Sequence, residues 1–542
     1  MRKVRRSMTT LTVGALAVAM AMTPAGAAST VSPFVKAPSG GSPYTFTSML
    51  TVGEQVPSPD GGMYQLVGIP DGMGAHDNGN GTFTLYTNHE LTSPTRSEPY
   101  VGGTLNRGAI VSRFVVEDDG DVLSGERAYD WVYQDNKLIG PAPTMSNAVR
   151  AFARFCSATL AGVATGFDRT IFFTNEEEGG TAADDAATFD SLGGQSVAIF
   201  ETDPGRWEAH ALSRMGHFSK ENTVPQPRED DLTVIIPLED GPSTPDSQLY
   251  LYVGEKNTSP GASVLDANGL LQGQLYVFVS DEATGEQDFT EEGTSIQGEW
   301  VKLAGAKNQN TAQLEAASDA AGAFEFVRIE DGTFGKVDTN DFYFDTTGAT
   351  HQYDGSHFTN FLGRLYHLEL DPDDPLGPAT LNIVYNADEN QDGVIDHDIA
   401  ISPDNLDVSE DYLMVQEDGT GESRPVMTTF GRDGQIWRFE LDADTDGAGQ
   451  IVDASSAMPV AELDGAQSRW KTSGGVQVIP GSGIWETSGI IDASAFIGPD
   501  AWVFDVQAHR PGATATGWPP ADVTAPNTVE DGQLLLMKPA AP

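Results

Sequence analysis

The feature that most constrains this chain is a short alternating apolar run that ends on a carboxylate and recurs along the sequence. Aromatic and β-branched residues at every second position are typical of a half-buried strand. If such units ring a common axis, as the blades of a β-propeller do, their terminal acids converge on one funnel. The five copies are Thr82–Glu90, Thr170–Glu178, Leu249–Lys256, Phe324–Asp331 and Tyr412–Asp418.

A second recurring unit begins with Gly or Gln and ends on Asp. Its copies lie about 70 to 90 residues apart, which suits one blade plus an inserted loop. With 59 Gly and 32 Pro, the pattern predicts an all-β chain, a β-propeller with inserted loops and a few short helices. Segment 308–323 is the predicted helix, and Gly532–Pro539 is the predicted last strand. The copies are Gln195–Asp203, Gly273–Asp281, Gly363–Asp371 and Gly434–Asp442.

The first residues have the organisation of a targeting segment. A basic stretch at Arg2–Arg6 precedes the apolar run Leu11–Met22, and Ala25–Ala27 fits a signal-peptidase site. We therefore predict a signal peptide over residues 1–28 and a single secreted propeller domain over 29–542. Paired arginines in the basic stretch loosely resemble a twin-arginine export signal.

The charge is strongly lopsided. Asp and Glu number 79 against 30 Lys and Arg, for a net charge of −49. Such a surface repels nucleic acid and anionic membranes, and a small anionic substrate would need metal ions or local cations to bind. We expect neither nucleic acid nor membrane as a partner, and a monomer. The single cysteine, Cys156, excludes an intramolecular disulfide and is interpreted as a core residue.

One local motif indicates a separate calcium site. Residues 388–396 follow the order of a calcium loop, with Gly393 at the sharp turn, although Ile399 stands where a final carboxylate is expected. The candidate ligands are Asp388, Asn390, Asp392 and Asp396. The sequence contains no nucleophile elbow, Walker loop or dinucleotide fingerprint.

A second pattern that could carry chemistry is a basic residue close to an acid at the end of a strand. Arg328 lies two residues before Glu330, and Lys256 follows Glu255. Metal ions could neutralise some oxygens of a phosphate ester while Arg or Lys binds the others. Arg328 and Lys256 are therefore candidate catalytic residues, against the alternative of ordinary ion pairs.

A series of motifs over most of the chain resembles the PhoX-type alkaline phosphatase family and its secreted PhoX-like relatives. The motifs match that family in order and spacing as well as in wording. They are Pro70–Thr84, Asn88–Glu90, Arg154–Ser157, Asn175–Gly180, Gly216–Asn222, Tyr252–Lys256, Glu330–Gly332, Ser402–Leu406, Gln416–Gly419, Glu486–Asp492 and Asp505–His509.

The resemblance implies a β-propeller whose axial funnel holds ferric iron and calcium and hydrolyses phosphomonoesters outside the cytoplasm. It implies that Glu177 or Glu178, Glu221 and Glu330 bind metal and that Arg328 contacts phosphate. Joined with the strand-end acids, the expected metal ligands are Glu90, Glu177, Glu178, Glu221, Glu255, Glu330, Asp404 and Glu417.

The chain departs from the family at one position. The phosphatases place a metal-ligating cysteine immediately before the paired glutamates, where this chain has Asn175-Glu176, and Cys156 lies well upstream. Without a thiolate the site would be harder and would favour calcium over iron. The hypotheses are a secreted metal-dependent phosphatase, a non-catalytic calcium-stabilised propeller, and a calcium-dependent esterase or lactonase.

Overall fold

The computed structural model describes residues 28–179, 188–242, 244–349, 360–389, 399–419, 426–443, 449–515 and 528–541. These residues form a β-propeller of six blades around a central axis. In each blade four strands form an antiparallel sheet whose innermost strand lies at the axis. In blade 2 an added strand pairs in parallel with the fourth strand. The outermost strand of blade 6 comes from the start of the chain. The predicted all-β propeller is confirmed.

The first three blades follow one another in the chain, and their strands are given from the axis outward. Blade 1 contains Pro70–Asp77, Thr82–His89, Ile110–Glu117 and Val122–Arg127. Blade 2 contains Phe155–Ala161, Ile171–Glu176, Ser196–Asp203 and Arg206–Ala211, extended by Trp131–Gln134 and Lys137–Pro141. Blade 3 contains Lys220–Pro225, Leu232–Glu239, Tyr250–Glu255 and Gln274–Val279.

The other three blades complete the ring. Blade 4 contains Ile329–Phe334, Asp341–Thr346, Arg364–Glu369 and Ala379–Asn386. Blade 5 contains Pro403–Val408, Tyr412–Glu417, Gln435–Ala443 and Gln450–Leu463, extended by Val35–Lys36. Blade 6 contains Glu486–Asp492, Trp502–Ala508, Asp531–Pro539 and Tyr44–Thr51.

Short elements connect the blades. Ser295–Lys302 pairs with the outer strands of blades 3 and 4 and joins them into one nine-stranded sheet. The small strands are Gln55–Pro57, Met63–Gln65, Arg96–Ser97, Asn106–Arg107, Ser247–Gln248 and Glu325–Phe326. The α-helices are Val264–Ala267, Thr311–Ala321 and Val426–Phe430, and the 3-10 helices are Val163–Thr165, Ser213–Met215, Ala306–Asn308 and Gly465–Gln467.

Two ends of the chain close the ring. Tyr44–Thr51 pairs with the predicted last strand, Asp531–Pro539, and the first and last inner strands also contact each other. The inner strands are edge strands of their sheets, and closure of the ring packs these edges against one another at the axis. The strands pack so closely there that a Cβ on Gly72 of blade 1 would overlap the backbone nitrogen of Ala158 in blade 2.

The hydrophobic core lies between the blades. Strands such as Leu232–Glu239 are apolar on both faces because each blade is covered by two neighbours. Blades 3 and 4, for example, pack through Phe278, Phe326 and Phe344. The predicted helix is confirmed as Thr311–Ala321, and the side chain of Asn310 caps it by accepting a hydrogen bond from Gln313 N–H (2.9 Å).

Every inner strand carries a β-bulge close to its first residue. In blades 2 to 5, two consecutive inner-strand residues oppose one residue of the second strand; in blades 1 and 6 the extra residue is Gly72 or Gly489. A bulge changes the direction of the side chains it carries. The four bulged pairs are Cys156–Ser157, Glu221–Asn222, Glu330–Asp331 and Asp404–Asn405.

The recurring sequence runs do not all occupy the same strand. The copies that end at Glu90, Glu178 and Asp418 are second strands, as predicted for equivalent units. Leu249–Lys256 is instead the third strand of blade 3, and Phe324–Asp331 runs into the inner strand of blade 4. The prediction of equivalent strand ends is wrong for these two copies.

Candidate metal centre

The first residues of the bulged pairs meet at the axis. Their side chains combine with acids that follow the second strands and with Asp71 of blade 1. Within each of three groups, one potential ligand atom per residue lies within 4.8 Å of the others. The groups are Asp71, Glu90 and Cys156; Cys156, Glu177 and Glu221; and Glu221, Glu330 and Asp404. Because consecutive groups share Cys156 and Glu221, the seven side chains form one continuous set, called here the axial cluster.

The thiol of Cys156 belongs to this cluster, and the sequence-based expectation of a site without cysteine is wrong. Phe155 pairs with Glu176, so the bulge that follows Phe155 brings Cys156 beside Glu177. Burial, with the nearby charge of Asp71, raises the pKa of the Cys156 thiol well above its ordinary value. A cation would be needed to hold the thiolate there.

The second strands supply acids by a regular rule. The last strand residue points away from the cluster, and the next residue lies at the axis. In blade 2, Glu176 accepts a hydrogen bond from the Ala153 N–H (3.0 Å), whereas Glu177 joins the cluster. The axial residues of this kind are Glu90, Glu177, Asp240 and Asp418.

Glu417 follows the same rule and is not an axial ligand, contrary to the sequence prediction. Its carboxylate is fully buried and paired with Arg432, at 2.5 and 2.7 Å. It also accepts hydrogen bonds from the N–H groups of Ile401, Gln435 and Trp437. All its oxygen capacity is used inside blade 5, so its role is structural.

We expect Glu417→Ala to lower the free energy of unfolding by about 3–5 kcal/mol, because it leaves the buried Arg432 unpaired. Guanidinium unfolding of metal-free protein would measure this. The control is Glu255→Ala, an exposed acid, for which we expect a change within about 0.5 kcal/mol. Equal stability of the two variants would contradict the structural role of Glu417.

Arg328, a candidate phosphate contact from the sequence, lies beside the cluster. Its Nε lies 3.0 Å from Asp240, and its Nη2 lies 2.7 Å from Glu330. The Nη1 atom is 3.7 Å from Asp418 and donates no hydrogen bond to the described residues. The side chain is therefore fixed by two ion pairs, and its Nη1 can still donate a hydrogen bond at the site. Its φ of 58° is unusual for a bulky residue and is typical of functional sites.

Arg154 occupies the equivalent place in blade 2 and was missed from sequence. Its Nε lies 2.9 Å from Glu90, and its Nη2 lies 2.5 Å from Glu177. The side chain is 40 % exposed, more open than Arg328 at 12 %. Both arginines have positive φ, immediately before an inner strand, and each carbonyl accepts a bond from the N–H one residue past the second strand. A shared backbone turn thus places two guanidinium groups among the acids.

A layer of hydrogen bonds lies beside the cluster and supports its carboxylates. It consists mainly of the second residues of the bulged pairs. Asn222 donates to Asp331 (2.5 Å), and Asn405 donates to the hydroxyl of Ser157 (2.5 Å). Ser157 in turn donates to Glu221 (2.7 Å), which fixes that carboxylate. The layer positions the acids, as outer-shell partners do at metal sites.

The electrostatics of the cluster call for cations. Burial, together with the charge of Asp240, raises the pKa of Glu221 to about 7. Burial also raises the pKa values of Glu330 and Asp404 well above their usual range, despite Arg328 beside Glu330. Acids packed this closely share a site only if protons or cations offset their repulsion. Metal ions would hold all of them ionised.

Blade 6 adds a further acid that the sequence analysis noted only as part of a motif. Glu486 accepts a hydrogen bond from the Gly419 N–H (3.2 Å) and lies 3.3 Å from His509. His509 also contacts Glu530 at 2.8 Å. Although burial opposes the charged ring, the two carboxylates raise the pKa of His509 well above its ordinary value.

Other predicted site residues lie elsewhere. Glu255 is exposed on the third strand of blade 3, so its assignment as a ligand is wrong. Lys256 is also misassigned, because its ammonium donates to the carbonyls of Arg228 (3.4 Å) and Asp230 (2.9 Å), away from the axis. Glu178 is half-buried and lies outside the three groups of the axial cluster.

The predicted calcium loop and signal peptide fall largely outside the described ranges. Asn390, Asp392 and Asp396 are among the residues not described. Asp388 is described, and its carboxylate accepts hydrogen bonds from the N–H groups of Phe361 (2.6 Å) and Leu362 (3.2 Å). In the described part of the chain, no helix is long and apolar enough to span a membrane.

These features define a class: a six-bladed propeller with an acidic, thiol-containing cluster at its axis. The fold is similar to that of Pseudomonas fluorescens PhoX in complex with vanadate, a transition state analogue, with a TM-score of 0.60. The match covers 95 % of this chain and 97 % of that one at 16 % identity, and it shows a shared fold. Neither a protein-family model nor a curated protein matches the sequence.

Two further solved structures match with lower TM-scores. A hypothetical selenium-binding protein from Sulfolobus tokodaii has a TM-score of 0.33 and 9 % identity, over 70 % of this chain and 65 % of that one. The GH93 alpha-L-arabinofuranosidase of Fusarium graminearum also has a TM-score of 0.33, with 10 % identity over 90 % of this chain and 97 % of that one.

Proposed function

We propose that the protein is a metal-dependent phosphatase that hydrolyses phosphate monoesters at the axial cluster. The observation that carries this proposal is the continuity of the cluster. Shared ligands at Cys156 and Glu221 would hold several cations side by side, with the guanidinium of Arg328 against the same acids. A cluster of cations beside an arginine is suited to the charge of a phosphoryl group.

The donor atoms fit a mixed set of ions. Glu221, Glu330 and Asp404 offer only oxygen, the donor that calcium prefers. Cys156 adds a thiolate to the other two groups, which favours a transition metal such as iron. When bound, the ions would supply Lewis-acid activation of the phosphoryl group and of water.

The chain's own residues would bind and orient the ester. Arg328 is fixed by Asp240 and Glu330, so its Nη1 donor is already in place for a phosphoryl oxygen. Arg154 is more exposed and would meet the substrate nearer the rim of the funnel. Both guanidinium groups are anchored before substrate binds, so little side-chain freedom is lost on binding.

The solved PhoX structure supports this proposal by its fold and by its ligand. That structure is a complex with vanadate, a transition state analogue. For the present chain the phosphate-ester chemistry is inferred from its own acids, thiol and arginines. We also propose that the protein acts outside the cytoplasm after removal of residues 1–28.

A substrate panel tests the proposal against its alternatives. Metal-loaded protein would be assayed with aryl phosphate, diaryl phosphate and aryl acetate at alkaline pH, with the released phenol as a common readout. We expect turnover of the monoester to exceed the others. Preferential cleavage of the acetate would indicate an esterase, and no cleavage by folded, metal-loaded protein would indicate a binding or structural propeller.

A further inference from the structure

A fully buried carboxylate in blade 6 has no role in the axial cluster. Asp505 lies on the second strand of that blade, opposite the bulge at Gly489, and is 0 % exposed. Neither oxygen of its carboxylate accepts a hydrogen bond from a residue that the structure describes. Buried carboxylates are almost always satisfied by donors, by ion pairs or by metal ions. Among the residues that the structure describes, Asp505 therefore has no hydrogen-bond donor.

A second residue on the same face of this strand, Gln507, also has an oxygen without a donor among the described residues. Gln507 is two residues from Asp505, so the two side chains point to the same side. The Gln507 amide donates to Asp71 (3.0 Å) and Glu90 (3.4 Å), which shows that this side is turned toward blade 1. Its carbonyl oxygen Oε1 is buried and accepts no hydrogen bond from the described residues.

The backbone carbonyl oxygen of Asp71 also lies close to Asp505, with Gly489 beside both. A Cβ on Gly489 would lie 2.8 Å from the backbone carbonyl oxygen of Asp71 and 3.2 Å from Oδ2 of Asp505. The carbonyl and the carboxylate therefore both pack against one Cα. The φ of 44° at Gly489 is readily adopted by glycine, which has no Cβ to fill the space.

The surroundings of Asp505 are also negatively charged. Asp505 is fully buried, and the charged groups that act on it are the acids Asp71 and Glu486. The surroundings thus disfavour a bare carboxylate. A bound cation would satisfy both its charge and its free oxygens.

We propose that Asp505, the side-chain carbonyl of Gln507 and the backbone carbonyl of Asp71 form an additional site for a hard divalent cation of the calcium class. Carboxylate, amide and backbone oxygens are the ligands that calcium takes in proteins. The site adjoins the axial cluster through Asp71 but is separate from its three groups. It would fix blade 6 against blade 1, where the ring closes.

Counting bound calcium tests this site without reference to turnover. Wild-type protein and Asp505→Asn would be stripped, loaded with calcium alone, desalted and analysed by mass spectrometry of the metal. We expect the variant to retain one calcium ion fewer per chain and to show a smaller rise in melting temperature on calcium addition. An unchanged count and an unchanged rise would overturn the proposal and would indicate a protonated Asp505.

The matched control is Glu286→Gln, which also neutralises a fully buried carboxylate. Glu286 accepts hydrogen bonds from Tyr366 (2.6 Å) and Asn360 (2.9 Å) and does not belong to the axial cluster. We expect its calcium count to equal that of the wild type. If Glu286→Gln lost the same ion, the effect would be one of general destabilisation, and the proposal would be overturned.

Wild-type crystals soaked with terbium keep the proposal testable if Asp505→Asn fails to fold. We expect an anomalous peak about 2.3–2.6 Å from Asp505, the distance range of calcium sites. Density without a peak at Asp505 would overturn the site even if the axial cluster were occupied. Conversely, a peak at Asp505 in a protein without phosphatase activity would support this site and count only against the proposed reaction.

Discussion

Glu221→Gln is expected to reduce phosphatase turnover by about 1,000-fold or more. Glu221 is shared between the thiol-containing and the all-oxygen groups of the axial cluster, so its loss would weaken cation binding on both sides. Bound metal ions stabilise the transition state of phosphoryl transfer by several kcal/mol. Each loss of roughly 1.4 kcal/mol of that stabilisation lowers the rate tenfold. Phosphate release and metal content of the purified variant would be measured together.

The control for this variant is Glu255→Gln. Glu255 was predicted as a ligand from sequence but is exposed on the third strand of blade 3. We expect it to keep wild-type turnover and wild-type metal content. Wild-type activity in Glu221→Gln would contradict the assignment of the axial cluster as the catalytic centre.

Arg328→Lys is expected to reduce kcat/KM by about 100- to 1,000-fold, the usual effect of removing one fixed donor from a transition-state site. Lysine keeps the positive charge but cannot bind Asp240 and Glu330 and still present a third donor in a fixed direction. Steady-state kinetics would show whether the loss lies mainly in kcat, as expected for a contact that strengthens in the transition state.

Arg432→Lys provides the matched comparison for Arg328→Lys. Arg432 also binds a carboxylate in two places, but that carboxylate is the structural Glu417 inside blade 5. We expect lower stability and unchanged turnover per folded molecule. Arg328 would lose its proposed role if Arg328→Lys behaved in the same way as Arg432→Lys.

The propeller could be predicted from sequence because its signal is local. Alternating apolar residues mark each strand, and the repeated spacing marks each blade. The convergence of Glu90, Glu177, Glu221, Glu330 and Asp404 follows from the same repeats together with the family resemblance. The last strand was predicted, but its pairing with Tyr44–Thr51, which closes the ring, was not.

The orientation of neighbouring acids could not be predicted, because a shift of one residue turns a side chain to the opposite face of a strand. Glu176 and Glu177, or Glu417 and Asp418, look interchangeable in sequence. One of each pair is buried in its blade, and the next one lies at the axis.

The place of Cys156 at the axis could not be predicted, because it depends on a β-bulge in the inner strand of blade 2. Its distance along the chain from Glu177 hides the fact that the two strands are adjacent and antiparallel. A signal was present in the repeated pattern of one apolar or proline residue followed by two polar ones, as in Phe155-Cys-Ser and Ile329-Glu-Asp. Aligning the inner strands with one another places Cys156 at the position equivalent to Glu330.

The most direct test of the central claim is phosphate release from an aryl phosphate before and after chelation, with the bound calcium and iron counted in the same sample. We expect metal-loaded protein to turn over, chelated protein to lose activity, and added metal to restore both activity and ion content. Folded, metal-loaded protein that releases no phosphate, or turnover that survives complete removal of the ions, would contradict the account.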